Sequence, residues 1–158
     1  DNVAVQVMSA EDLSGIHTIF DVAVFTLSLH HVPVQLMSKA IDEAVRVVRP
    51  GGYIIFLEPA EKGSFFDAEI AFDACDGDER EVKRAAYTTM KESPRLLEIA
   101  ELDDQTEFKW DSFEDFIETM KPKKNLDNLR RFLEKYGYTL NATRRINIFS
   151  VRMENKLL

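Results

Sequence analysis

The sequence predicts an α/β fold with a mostly parallel sheet, and two observations support this prediction. The apolar runs at residues 20–25 and 53–57 have the length and composition of buried strands. An amphipathic helical stretch separates them and ends at the turn sequence of residues 49–52. Parallel strands need a long crossover connection, so this strand–helix–strand order is typical of a βαβ unit.

The first residues favour a further strand followed by a loop. Val3, Val5 and Val7 alternate with Ala4 and Gln6, which predicts a short strand over residues 3–8. A loop over residues 9–13 and a brief irregular stretch follow. The run at 20–25 is almost wholly apolar, as expected when helices cover both faces of a sheet.

The helix between the two apolar runs is predicted over residues 33–49. Pro33 suits a first helical turn, Pro50 stops the helix, and the two glycines at 51–52 let the chain turn back into the sheet. The spacing of one buried stripe is shown by Met37, Ile41, Ala44 and Val48.

Residues 60–110 are predicted to form a mostly helical insertion, or cap, in a single domain that spans 1–158. Helical segments are expected near 64–74, 78–92 and 94–102, and an extended stretch near 107–110. Large side chains in this region either belong to a core or line a substrate pocket: Phe65, Phe66, Phe72, Tyr87, Met90 and Trp110.

The C-terminal part is predicted as two helices followed by two strands. Ser112 and Asp115 form a capping-box pattern at the start of the first helix, which Pro122 ends. The second helix covers about 125–136, with Gly137 as a natural residue after its end. Strands at 138–143 and 146–153 are expected to form an antiparallel pair.

Residues 20–59 and this order of elements resemble the class I S-adenosylmethionine-dependent methyltransferases. The motif is carried by Phe20-Asp21, by Leu29-His30-His31-Val32, and by the Arg-Pro-Gly-Gly sequence at 49–52. The resemblance implies a Rossmann-like methyltransferase sheet with an antiparallel C-terminal strand pair, S-adenosylmethionine as cofactor, and methyl transfer to a small-molecule acceptor.

The glycine-rich loop and the first two strands of that family have no counterpart in the sequence. The N-terminal strands of the family fold are therefore expected to be lacking. One explanation is a truncated or incomplete form of an enzyme. The alternative is a catalytically inactive methyltransferase-like module used for interaction or dimerisation. A nucleotide-binding oxidoreductase is a third reading, but its dinucleotide fingerprint is also missing.

The resemblance assigns the loop at residues 9–13 to the adenine of the cofactor. The family sequence there is Asp-Ala-x-x-Leu, and this chain has Ser9, Ala10 and Glu11 before Asp12-Leu13. Ser9 replaces the acidic residue, although a hydroxyl or a backbone group can also hydrogen-bond an amine. The alternative is an ordinary surface turn.

The resemblance also implies roles for residues that follow the two strands. Thr26, Leu27 and His30 correspond to positions near the methionine part of the cofactor. His31 is the candidate for orienting an acceptor or taking its proton, and Glu58 for a base or a polar contact to substrate. The alternatives are a histidine bonded locally at a helix entry and a glutamate paired with a lysine.

Composition excludes several function classes. The chain has 28 acidic and 20 basic residues and a net charge of −8, which argues against nucleic acid as a partner. Its one cysteine, Cys75, excludes an internal disulfide and lies among aspartates that raise the pKa of a thiol. No metal-ligand spacing is present. No apolar run of ~20 residues is present, and the expectation is a cytoplasmic protein. The resemblance implies a small-molecule substrate, and a twin chain is a candidate partner that would cover the sheet left open by the lacking strands.

Overall fold

The computed structural model describes residues 3–153 and contains four strands and five helices within them. The strands are β1 (Phe20–Thr26), β2 (Val48–Pro59), β3 (Leu96–Lys109) and β4 (Thr139–Val151). The helices are α1 (Val34–Val47), α2 (Ser64–Phe72), α3 (Arg80–Glu92), α4 (Phe113–Met120) and α5 (Leu126–Lys135). A short 3-10 helix, Leu29–His31, precedes α1.

The predicted βαβ unit is confirmed. The strand order of the sheet is β1-β2-β4-β3, and β1 pairs with β2 in parallel, with Phe25 opposite Phe56 and Thr26 opposite Leu57. Near the start of β2 the register is irregular, and Gly52 lies there in close contact with its surroundings. A Cβ atom on Gly52 would lie 2.7 Å from the Asp21 carbonyl oxygen, so only glycine fits without a backbone shift.

The last strand departs from the prediction. Residues 139–151 form one continuous strand, whereas two short strands with a turn between them were expected. β3 also replaces the helix predicted over 94–102. Contacts of Glu101 with Asn147 and of Gln105 with Thr143 show that β3 and β4 run in opposite directions. The antiparallel partner of the C-terminal strand is therefore β3. The helices predicted near 64–74 and 78–92 are present as α2 and α3, and the helical insertion is confirmed except where β3 replaces the third helix.

The N-terminal prediction is wrong in two respects. Residues 3–8 form no strand, and Val3, Val5 and Val7 are between 81% and 103% exposed. The expectation that helices cover both faces of β1 also fails, because Val22 and Val24 are 41% and 57% exposed. β1 lies at an edge of the sheet, where a neighbouring strand is lacking within the described part of the chain.

The chain divides into two compact units, and the first holds the βαβ element. Of the described residues, it comprises 3–58, Arg84–Leu102 and 146–153. The predicted stripe of α1 is buried, with Met37, Ile41 and Ala44 at most 2% exposed. The ring of Phe56 lies at the centre of this core, 4.9 Å from the ring of Phe25 and 5.7 Å from that of Phe149.

The second unit comprises Pro59–Lys83 and Asp103–Arg145 and has its own core. The predicted cap of α4 is confirmed, because the Ser112 hydroxyl accepts a hydrogen bond from the Asp115 amide at 3.1 Å. Phe72 and Trp110 are 3% and 7% exposed and belong to this core. The core interpretation therefore holds for these two side chains.

Among the helices that the structure describes, none combines the length and the apolar character needed to cross a lipid bilayer.

Candidate functional site

Glu58 organises the turn that follows β1. Its carboxylate lies at the end of β2 and is 6% exposed. One oxygen, Oε1, accepts hydrogen bonds from the backbone amides of Ser28 at 3.1 Å and Leu29 at 2.8 Å. The other oxygen, Oε2, is hydrogen-bonded to Nδ1 of His30. A single buried side chain thereby holds a segment that lies about thirty residues earlier in the sequence.

The two histidines of the turn differ in exposure. His30 is 5% exposed, whereas His31 is exposed to solvent, and their ring centroids lie 4.1 Å apart. An ionised carboxylate only accepts hydrogen bonds, so a neutral His30 ring paired with an ionised Glu58 would carry its proton on Nδ1. Glu58 thus orients His30, and His30 packs beside the exposed ring of His31.

The backbone between β1 and the 3-10 helix is strained at Leu27. Its φ angle is +50°, a left-handed value that is uncommon for a residue with a side chain. The Leu27 amide donates to the Leu57 carbonyl oxygen at 2.7 Å, which continues the pairing of β1 with β2. Thr26 and Leu27 are both exposed at the carboxyl end of the strand. Ligands of open α/β sheets bind at such strand ends.

The loop at residues 9–13 is a turn that is anchored on α1. A hydrogen bond from the Asp12 amide to the Ser9 carbonyl oxygen, 3.0 Å long, closes this turn. The Leu13 amide donates to Glu43 at 2.8 Å, and Arg46 donates to the Leu13 carbonyl oxygen at 2.6 Å. The turn is therefore fixed to the last part of helix α1. His30 and His31 lie at the other end of this helix, just before its first residue.

Two carboxylates that hold this loop have a low pKa. The side chain of Arg46, followed by the Leu13 amide, lowers the pKa of Glu43 to about 2. Hydrogen bonds from the side chain and backbone of Ser14 lower the pKa of Asp12. Both groups are thus ionised at neutral pH, and the anchor of the loop is present under ordinary conditions.

The sequence-predicted site residues fall into two groups. Thr26, Leu27, His30 and Glu58 lie in one connected arrangement, and His31 borders it. Ser9, Ala10 and Glu11 lie in the anchored turn, where Ser9 is exposed and the other two are half-buried. The assignment of this second group to cofactor binding stays a prediction.

Sequence reasoning missed several groups that shape the site. The hydrogen bonds of the Ser28 and Leu29 amides to Glu58 and the pair Glu43–Arg46 were not predicted. The signal that could have found Glu58 as an anchor is its position, because it ends the strand beside β1. No signal in the sequence connects Glu43 with Leu13, thirty residues away.

The pKa of Cys75 is raised, in agreement with the prediction. Burial is the main cause, and the negative charge of Asp76 adds to it. A thiol with a raised pKa is a poor nucleophile at neutral pH. Cys75 is therefore not a candidate catalytic residue.

Comparison with known proteins supports the family resemblance. Residues 1–56 match the model of a family described as a methyltransferase domain. The resemblance of the sequence to class I methyltransferases is thereby confirmed over the segment that contains Thr26, His30 and His31. The comparison with curated proteins finds no significant match.

Solved structures show the same fold at low sequence identity. A proposed methyltransferase from Bacillus halodurans has a TM-score of 0.57 and 15% identity, and the match covers 92% of this chain and 70% of that one. The YcgJ protein from Bacillus subtilis has a TM-score of 0.52 and 15% identity, with 98% and 73% covered. The fold is therefore the α/β fold of these proteins.

A further match is the N-methyltransferase NodS from Bradyrhizobium japonicum WM9, solved in complex with S-adenosyl-L-homocysteine. The TM-score is 0.44 and the identity 15%, and 92% of this chain is covered. The chain spans 53% of the length of NodS, about half.

Proposed function

We propose that the protein is a methyltransferase that transfers a methyl group from S-adenosylmethionine to a small-molecule acceptor. The observation that carries the proposal is the turn Thr26–His31, held at the carboxyl end of β1 by Glu58, within the segment that matches a methyltransferase domain. The strained backbone and the buried anchor fit a binding segment that needs a defined shape.

The residues at the end of β1 fit one part of the cofactor. Thr26 and Leu27 are exposed there and would face the methionine part, with His30 behind them. The amides of Ser28 and Leu29 already bond Glu58, so they are not the donors for the methionine carboxylate. Ser9, Ala10 and Glu11 are not assigned to the adenosine part in this proposal, because their turn is fixed to the last part of α1, whereas Thr26 and Leu27 precede the first residue of that helix.

When bound, the cofactor supplies the electrophilic methyl group. The protein then has to orient the acceptor and exclude water. His31 is exposed beside His30 and is the group proposed to orient the acceptor or to take its proton. Glu58 acts as a positioning residue in this proposal, since both its oxygens hold the turn. The structure thus favours a supporting role over the base role for Glu58.

A second candidate function is a catalytically inactive interaction or dimerisation module. A specific observation favours it: one face of the β1–β2 pair is apolar and exposed. Val22 and Val24 are 41% and 57% exposed, and Tyr53, which is paired with Val22, is 43% exposed. An exposed strand edge beside an apolar face is a surface on which proteins associate.

The test is a calorimetric titration of the 158-residue chain with S-adenosylmethionine and with S-adenosylhomocysteine. Saturable binding with a Kd near ~1 μM, worth ~8 kcal/mol, would support the methyltransferase proposal. The absence of binding by a chain that is folded by circular dichroism would favour the interaction module.

Two histidine variants separate a catalytic role from a structural one. His31→Ala is expected to leave cofactor binding unchanged and to lower the rate of methyl transfer to an accepted substrate. His17→Ala, the same change in an exposed loop, is the matched control and should alter neither. An equal loss in both variants would remove His31 from the proposed site.

The interaction alternative has a direct readout as well. Light scattering at several protein concentrations measures the mass of the species in solution. Val24→Lys places a charge on the exposed apolar face and should dissociate a dimer formed through it. A monomer at every concentration would count against dimerisation. The cytoplasmic location and the small-molecule class of the acceptor stay predictions from the sequence.

A further inference from the structure

A cavity in the first unit lies at the opposite end of β2 from Glu58. Its volume is about 540 Å³, and it is bordered by the end of α1, the start of β2 and the end of β4. Its apolar lining includes Val45, Val48 and Val151, each at most 4% exposed. The cavity therefore has a firm apolar floor, and it does not belong to the site around Glu58.

Charge distinguishes this cavity from its neighbour. Four arginines line it and no acidic side chain does, although the chain as a whole carries a net charge of −8. The adjacent cavity, of about 500 Å³, shares Arg95 but is also lined by Asp42 and Glu92. Excess positive charge is thus confined to the first of the two cavities.

The arginines of the cavity are not equivalent. Arg46 donates to both carboxylate oxygens of Glu43 and to backbone carbonyl oxygens, so its role is structural. Arg49 donates through Nε to Asp21 at 2.6 Å, and Arg152 donates through Nε to the Leu96 carbonyl oxygen at 2.8 Å. Each of these two is held by one nitrogen, which leaves its terminal nitrogens for a ligand.

We propose that this cavity binds a small organic phosphate that carries an apolar group. Guanidinium groups match the oxygens of a phosphate through paired hydrogen bonds, and Arg49 and Arg152 are the groups assigned to it. The apolar group of the ligand would lie on Val45, Val48 and Val151. Binding sites of this kind combine an apolar lining with a few placed polar groups. The proposal does not depend on methyl transfer.

Three probes test the proposal on the unaltered chain: phenyl phosphate, inorganic phosphate and benzyl alcohol. Phenyl phosphate should bind about tenfold more tightly than inorganic phosphate, because only it buries an aromatic ring. Benzyl alcohol should bind more weakly than both, and added salt should weaken the binding of phenyl phosphate. In ¹H–¹⁵N NMR spectra, the amides of residues 45–49 and 151–152 should shift with phenyl phosphate.

Variants test the arginines. Arg49→Gln and Arg152→Gln should each weaken the binding of phenyl phosphate by about tenfold, the effect of losing one charged hydrogen bond. The matched control is Arg131→Gln, the same change at an exposed residue of α5 in the second unit. Arg152→Lys keeps the charge and serves if Arg152→Gln fails to fold, and it should still weaken binding.

Each contrary result overturns the proposal. Phenyl phosphate that does not saturate the chain at about 10 mM would show that no such site exists. Shifts confined to residues 26–31 would place the ligand at the Glu58 site instead. An equal loss for Arg131→Gln and Arg49→Gln would mean a general effect of net charge.

Discussion

Glu58 in the first unit and Glu69 in the second are both buried carboxylates, but their surroundings differ. They are 6% and 7% exposed. Glu58 accepts hydrogen bonds from two backbone amides and contacts the ring of His30. Glu69 faces the ammonium group of Lys83 at 3.5 Å, and the same ammonium lies 3.3 Å from Glu79.

The difference shows that the donors around a buried carboxylate decide what the group can do. Because the backbone amides of Ser28 and Leu29 donate to Glu58, its carboxylate has the structural role of holding that turn in place. The attraction of Lys83 lowers the pKa of Glu69 by less than burial raises it. The pKa of this carboxyl is therefore raised, with burial as the main cause. Glu69 therefore takes up a proton at a higher pH than an ordinary glutamate does.

The largest effect is expected for Glu58→Ala. This change leaves the Ser28 and Leu29 amides without their acceptor and His30 without its partner, at a cost of about 3 kcal/mol in the free energy of unfolding. Urea denaturation measures it. Glu58→Gln is the control, because its amide oxygen can still accept from both backbone groups, and it should lose less than half as much. A loss below about 1 kcal/mol for the alanine variant would contradict the anchoring role.

The next effect is expected for Lys83→Met in the second unit. Removal of the buried ammonium leaves Glu69 and Glu79 without their shared cation and should cost about 2 kcal/mol at pH 7. Protonation of Glu69 should restore part of the stability as the pH falls toward 5. Denaturation at both pH values checks this, and a loss independent of pH would show that the lost contacts are merely those of packing.

A smaller effect, with a defined sign, is expected for Glu69→Gln. The pKa of Glu69 is raised in the folded state above its ordinary value of 4.5, so the folded state holds more protons between these two values. The unaltered chain should therefore gain stability relative to Glu69→Gln as the pH falls from 7 to 4.5. The expected difference at pH 7 is below about 1 kcal/mol, because burial and ion pairing oppose each other. A gain with rising pH would reverse the assignment.

The smallest effect is expected for Glu43, a carboxylate held by Arg46 near the surface. Its folded pKa of about 2 lies below the ordinary 4.5, so its contribution is present above pH 4.5 and is lost as the pH falls toward 2. Solvent screens the pair, and Glu43→Gln should cost less than about 1 kcal/mol. Hydrogen exchange of the Leu13 amide is the local readout. Unchanged protection in the variant would show that Glu43 does not anchor the loop.

Local signals were sufficient for much of the first half of the fold. The stripe of Met37, Ile41 and Ala44 predicts α1 because a helix presents every third or fourth residue to one side, and that side is buried in the structure. The cap at Ser112 was equally readable, since the hydroxyl and the amide that it accepts from lie three residues apart.

The candidate site was only half predictable. The motif at residues 26–31 places the turn after β1. The carboxylate that holds it lies about thirty residues further along the chain, and a motif does not state which hydrogen bonds its members make. That Glu58 accepts from Ser28 and Leu29 follows from the register of β1 beside β2.

The sequence by itself determined the elements whose signals are local: α1 and the cap of α4. Residues 49–52, which were expected to form a turn, are an irregular part of β2. Only the tertiary structure decided β3 and the continuity of β4 across residues 144–145. Residues 96–102 are rich in leucine, glutamate and alanine, which favour helix. Polar residues near Thr143 suggested a turn, but Thr143 is paired with Gln105 and Asn147 with Glu101 across the two strands. The partners of β3 lie about forty residues away in the chain, and their contacts, which its own sequence does not encode, make this segment a strand rather than a helix.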